Sequence, residues 1–228
     1  WLARELGEDF GSYGTLVYLI GLLTIPATCG LNQSLTPYVA AKNFKDSMED
    51  SSGAVLYGLV VSEFFSFLVI LAAIPIKIFF YPEIDNQAFT LALLTVPLIS
   101  LLQNCRAILQ GMDFPLHASL IETLVLPSGI LLVLTASYFL FDLKINLRLA
   151  FAASLISSFV TCIIIILLLV QKFPMARIKW YSEIGELRHV FHKSLPFCIG
   201  QSVFAINSRV PLLILAASAS EIEGGAYY

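Results

Sequence analysis

The chain has 228 residues, of which 58% are hydrophobic and only 13% charged, with a mean hydropathy of +0.85. A soluble domain of this length carries about 25% charged residues, so so much apolar surface has to be solvated by lipid. A net charge of −3 with no basic domain excludes nucleic acid as an expected partner.

Six apolar runs are long enough to cross a hydrocarbon core, which takes about 20 residues of helix. In chain order they are Ser12 to Ala41, Gly53 to Phe80, Gln87 to Gly111, Pro115 to Phe141, Asn146 to Gln171 and Leu195 to Ser218. Each is long and continuously apolar, whereas a barrel would show short alternating segments. The expectation is an all-α membrane bundle. Its joints are the polar stretch Asn43 to Ser52, the turn-rich Tyr81 to Asn86, the tight Asp113-Phe114-Pro115, the short Asp142 to Asn146, and a basic linker from Pro174 to Leu187. Segment Tyr181 to Lys193 has Ile184, Leu187, Val190 and Phe191 at helical spacing, as expected of a helix along the inner membrane surface or of an ordinary loop helix. No secretory signal is expected at the start.

Alternate loops differ in basic content. Lys42, Lys45, Lys172, Arg177, Lys179, Arg188 and Lys193 fall on one side, against Arg4, Lys77, Lys144 and Arg148 on the other, so the first side is expected to be cytoplasmic. The pattern acidic–x–Gly–x–Tyr occurs at Asp9 to Tyr13 and again at Glu223 to Tyr227, each time in an outer loop ahead of an expected span. Six spans separate the copies, which suits a protein built of two six-helix halves. The expected division is residues 1–171 for most of the first half, 172–194 for an inter-lobe linker, and 195–228 for the first helix of the second half. The chain is then a piece of a longer protein that lacks the helix preceding Trp1.

Cys29, Cys105, Cys162 and Cys198 lie in apolar runs without metal or disulfide spacing, and His117, His189 and His192 fall near the basic ends of spans. No nucleophile–base pairing, metal cluster or phosphate loop is visible, so neither an enzyme nor a cofactor is expected. The informative residues are the polar groups held at membrane depth, namely Glu63, Arg106, Glu122 and Arg209. A charge there costs a few kcal/mol even on the lenient insertion scale, so it faces a partner or a wet cavity. Arg106 lies about a turn from a helix end and can reach water by snorkelling; Arg209 is nearer mid-membrane. Thr24, Thr28, Asn32 and Thr36 form one stripe, and Ser100, Asn104, Ala107 and Gly111 another. Cys198, Ser202, Ala205 and Arg209 form a third, flanked by Gln201 and Ser208. Small-residue stripes also serve plain helix packing, the expectation for Ser154, Ser157, Ser158 and Thr161. Pro26, Pro97, Pro127 and Pro211 each remove a backbone hydrogen bond inside a span and can bend it.

Several stretches resemble a known family. Leu2 to Gly14 is similar to the loop after the first helix of polysaccharide-unit flippases of the Wzx type, in the multidrug/oligosaccharidyl-lipid/polysaccharide exporter superfamily. Cys29 to Leu35 resembles their second-helix motif and Ile108 to Met112 the end of their fourth helix. Leu195-Pro196 with Asn207-Ser208-Arg209 resembles their seventh helix, and Glu221 to Tyr228 the loop entering their eighth. Where many relatives carry Asp, two residues after Arg209, this chain has Pro211. The resemblance implies a MATE-like two-lobed bundle, of which helices 2–7 are present, in a bacterial inner membrane. It implies alternating access that moves lipid-pyrophosphate-linked oligosaccharide to the outer leaflet. On that reading Arg209 holds pyrophosphate or acidic sugar charge, and Asn32, Asn104, Gln201 and Asn207 bond sugar hydroxyls. Glu63 and Glu122 serve as gates, as Na+ or H+ coupling sites, or as counter-ions. A cation-coupled drug exporter of the same superfamily and a non-transport membrane scaffold remain as alternatives.

Overall fold

A computed structural model describes the backbone of residues 2–45, 48–141, 144–172 and 184–218, and side chains over 3–7, 9–45, 53–140, 144–172 and 190–208. Every element among them is helical: α1 (Leu2–Leu6), a 3-10 turn (Gly7–Asp9), α2 (Phe10–Thr28), α3 (Leu31–Phe44), α4 (Met48–Phe80), α5 (Asn86–Gly111), α6 (Pro115–Leu120), a π turn (Ile121–Val125), α7 (Leu126–Phe141), α8 (Leu147–Lys172) and α9 (Ile184–Ser218). Among the described residues, five crossings are long and apolar enough to span a membrane: Phe10–Thr28, Gly53–Phe80, Asn86–Gly111, Pro115–Leu140 and Leu147–Lys172. The expected sixth span falls on α9, whose side chains from Arg209 onward lie outside the described residues, as does the second acidic–x–Gly–x–Tyr copy. The chain is a multi-pass, all-α membrane protein.

Two expected spans are not continuous α-helices. The first, expected over Ser12 to Ala41, stops at Thr28 and restarts at Leu31, because Cys29 and Gly30 both take left-handed backbone (φ 51° and 68°). The Cys29 N–H turns back to the Pro26 carbonyl, and Gln33 N–H to that of Gly30. Gly30 is required twice over: left-handed φ disfavours any Cβ, and a Cβ there would lie 2.5 Å from the Ser194 carbonyl oxygen and 2.7 Å from the Cys198 nitrogen of α9. The fourth span keeps its expected limits, Pro115 to Phe141, but widens into the π turn, where the Leu126 N–H reaches the Ile121 carbonyl. Pro127 supplies the reason, since it has no N–H to give and its ring collides with the carbonyl four residues back in an α-helix. A third difference concerns Tyr181 to Lys193. From Ile184 onward this segment is the opening of α9 rather than a separate surface helix. Val190 and Ser194 are buried, and Phe191 packs on Phe65 of α4 at 6.1 Å between rings.

The joints follow local chemistry. Beyond α5, Asp113 is left-handed (φ 65°), and the N–H groups of Asp113 and Phe114 return to the carbonyls of Gln110 and Leu109. This C-terminal closure is followed at once by Pro115 as the first residue of α6, a position that needs no N–H. The result is the tight hairpin read from Asp113-Phe114-Pro115. At the opposite end Asp85 caps α5 by accepting from Ala88 N–H at 2.9 Å, and Arg148 grips the same carboxylate at 2.8 and 2.9 Å. Asn146 caps α8 through Leu149 N–H.

α5 is the central helix, packed against α2, α3, α4 and α8. One apolar cluster forms around Leu16, Leu23, Phe89, Val96 and Phe151 near the Asp85 end. Another forms around Leu31, Leu35, Val39, Ile108 and Ile165 near the Lys42 end. Outward faces carry exposed Phe64, Phe67, Leu71, Ile78, Leu132, Phe139 and Leu167, a surface that suits acyl chains and would be costly in water. The serine stripe on α8 is indeed packing: Ser157, Ser158 and Thr161 are buried, Ser157 donates to the Leu126 carbonyl at 2.8 Å, and a Cβ on Gly129 would strike Ser157 Oγ.

Candidate functional site

Both helix interruptions border one space. A cavity of about 920 Å³ opens between α3, the last turns of α5, the π turn and α9, at the end of the bundle that carries Lys42. That is at the upper end of the usual range for small-molecule sites, about 300–1,000 Å³. Helical spacing explains its wall. On α5, Gln103, Arg106 and Gln110 recur at three and four residues and share a face. On α3, the restart after Gly30 aims Asn32, Gln33 and Thr36 at the same space, and α9 adds Gln201 between the rings of Phe197 and Phe204.

Arg106 and Glu122 are the charged side chains among the described residues of this wall, and they form an ion pair, Nη1 to Oε2. The two side chains are about one third exposed, 33% and 30%. Glu122 lies within the π turn, so the widened turn and the ion pair are one feature. The pairing is incomplete, because Arg106 Nε is buried without a hydrogen-bond partner, as is Asn32 Oδ1. Such atoms forfeit hydration with nothing in return.

Behind the wall lies a buried polar layer, in which Asn104 Oδ1 has no hydrogen-bond partner. Asn104 Nδ2 donates to Ser62 Oγ at 2.7 Å, Ser62 Oγ lies 3.0 Å from Ser100 Oγ, and Ser62 also reaches the Ala27 carbonyl at 3.0 Å. All three side chains are fully buried, which ties α2, α4 and α5 together. Next to Ser62, Glu63 is half-buried; Ser66 reaches its Oε2 at 3.4 Å, and its Oε1 has no partner. In front, Thr36 Oγ1 donates to the Ala107 carbonyl at 3.1 Å, and a Cβ on Gly111 would lie 2.7 Å from the Thr36 carbonyl oxygen. The stripe Ser100, Asn104, Ala107 and Gly111 is therefore a packing face, apart from the edge of Ala107 that meets the cavity.

The sequence-read residues divide accordingly. Asn32, Gln201 and Glu122 meet at the cavity. Asn104 and Glu63 sit one layer behind it, and Asn207 is exposed on α9 away from the cavity wall. The Arg209 side chain lies outside the described residues. Sequence reading passed over Gln33, Gln103 and Gln110 and left Arg106 as a snorkelling residue. The signal was the spacing of Gln103, Arg106 and Gln110, three strongly polar groups on one face of an apolar helix. No group of His, Cys, Asp and Glu among the described residues could hold a metal ion.

Lipid-facing outer walls around a polar recess define a multi-pass membrane protein with an internal site. The chain belongs to the polysaccharide biosynthesis protein family, whose family model matches residues 1–228. No curated protein and no solved structure matches it.

Proposed function

We propose that the chain is part of a bacterial plasma-membrane flippase that carries lipid-pyrophosphate-linked oligosaccharide from the inner to the outer leaflet by alternating access. The observation that carries this reading is a roomy cavity walled by Asn32, Gln33, Gln103, Gln110 and Gln201 inside a lipid-facing bundle. Carboxamides both donate and accept hydrogen bonds, as do sugar hydroxyls, and they add no fixed charge to a path through the membrane. Membership of a polysaccharide biosynthesis family supplies the class of cargo. The cavity lies at the Lys42 end, the basic side, which on this reading opens toward the cytoplasm. The two-lobed MATE-like arrangement with the lobe division given above, the roles of Arg209 and Asn207 toward the cargo, and coupling to Na+ or H+ through Glu63 belong to the same reading.

The test is export of surface polysaccharide by cells carrying Asn32→Leu or Gln201→Leu at matched membrane abundance. Each removes about 1 kcal/mol of hydrogen bonding to cargo, so export is expected to fall roughly fivefold in each single variant and roughly thirtyfold in the double variant. Undiminished export would return the protein to the scaffold reading, in which cavity-facing polarity is dispensable.

A further inference from the structure

We propose that Arg106 is a binding site for a diphosphate group and that Glu122 is its displaceable counter-ion, held in place by the π turn until the anion arrives. This rests on the transport reading for the identity of the ligand's carrier, and on the geometry for the site itself.

Four observations converge. First, Arg106 and Glu122 face the cavity, and no other charged side chain does so among the described residues. Among the described residues the cavity wall thus carries one cation, already balanced by one carboxylate. Second, the guanidinium is not fully bonded. Nη1 holds Glu122 while Nε is buried and unpartnered, and the planar fork of Arg suits two oxygens of one phosphate at once. Third, the pair remains about one third exposed toward the cavity, so a ligand can reach it without dismantling the core. A purely structural pair at this depth gains most when it is closed off from water and fully hydrogen-bonded. Fourth, Glu122 stands on a widened turn that Pro127 imposes. A π turn carries one residue more than the α-helix needs, so its side chains can swing by a fraction of a turn without unwinding the helix on either side.

Binding is then an exchange. The phosphate oxygens take the Nη position that Glu122 vacates, Glu122 turns toward the water of the cavity, and Gln103 and Gln110, three and four residues away on the same face, bond the remaining oxygens. When the anion leaves, Glu122 returns to Arg106. The exchange keeps affinity moderate, which a carrier needs if it is to release its cargo.

The chemistry recognised is that of a phosphate-type oxyanion, and two sources could present it, a diphosphate or the head group of an anionic phospholipid. The experiment uses the protein reconstituted in phosphatidylcholine nanodiscs and titrated with inorganic diphosphate. Wild type is expected to bind, Glu122→Gln to bind about tenfold tighter because the competing carboxylate is gone, and Arg106→Gln to lose binding at least tenfold. Binding to Glu122→Gln that is equal to wild type or weaker overturns the proposal. That arm keeps the guanidinium in place, so it decides the matter even if Arg106→Gln does not fold. The titration is repeated in phosphatidylglycerol nanodiscs; unaltered binding supports the diphosphate, and loss of binding overturns it in favour of a head-group site. Polysaccharide export separates this site from the transport reading. Diphosphate binding that depends on Arg106, with normal export by Arg106→Gln, leaves the site standing and removes the flippase.

Discussion

At Cys29–Gly30 the chain leaves the α-helix altogether, whereas at Ile121–Val125 it stays helical and only widens. The first interruption is set from outside. The backbone of α9 lies so close that a Cβ on Gly30 would overlap the Ser194 carbonyl and the Cys198 nitrogen. The second is set from within, by a proline two residues past the turn. Their products differ as well. The stop at Gly30 fixes where two helices touch and reorients Asn32 and Gln33, while the wide turn fixes where one side chain, Glu122, points. A rigid contact and an adjustable side chain thus border the same cavity, and the comparison can be tested at each.

The largest effect is expected at the rigid contact. Gly30→Val places a β-branched side chain on left-handed backbone, at about 1–2 kcal/mol, and overpacks the α9 contact by a similar amount. A loss of about 3 kcal/mol should appear as a clearly lowered melting temperature in detergent. A Gly30→Val protein that melts with wild type would break the claim that α9 is seated there. Next comes Asn104→Leu, which fills the same space but strips Ser62 of a donor in a fully buried layer, for an expected loss of about 1–2 kcal/mol by the same measurement. An unchanged melting temperature would mean that the Ser62–Ser100–Asn104 contacts contribute nothing to stability.

Pro127→Ala is expected to act with the opposite sign. Restoring an N–H lets the wide turn relax to an α-helix, raising stability by about 1 kcal/mol, while Glu122 rotates away from Arg106 and export falls. If stability and export both stay at wild-type values, the π turn is not what positions Glu122. The smallest effect is expected far from both interruptions, at Asp85. The Arg148 guanidinium, and after it the Ala88 N–H, hold its carboxyl below the usual carboxylate range. A group whose folded value is depressed stabilises the fold above the ordinary value and loses that contribution as pH falls through the lowered one. The gap in melting temperature between wild type and Asp85→Asn should therefore be present above the ordinary carboxylate range and close as the pH falls below it. At the surface it amounts to under about 1 kcal/mol. A gap that widened toward acid would reverse the assignment.

Much of the frame was legible because lipid imposes a length and punctuation ends it. Pro115 to Phe141 has the observed outer limits of the fourth crossing, and Gly111 and Phe80 end their helices where expected. The interruptions were not legible for physical reasons. Nothing in the local chemistry of Cys29 signals left-handed backbone; that conformation answers to α9, far away in sequence. Pro127 was visible as a helix breaker, but a proline can be met by a kink, a wide turn or a lost bond, and neighbouring helices decide which. The site shows the same divide. A polar stripe says that one face is special, yet Asn104 on its stripe meets buried serines while Arg106, about half a turn further on, meets the cavity. Which face looks at a partner and which at open space depends on how α3, α4 and α9 are hung around α5.

The buried layer of Ser62, Ser100 and Asn104 has a mechanical consequence. Its bonds run between α2, α4 and α5 among side chains with no exposed surface. Sliding or rolling any of these three helices by one residue would strand several polar groups at once, so the trio is keyed in register like meshed gear teeth. A change in the shape of the recess would then fall to the parts outside the key, above all the fourth crossing at its wide turn, with the α2–α4–α5 block as the fixed frame and α9 seated against it at Gly30.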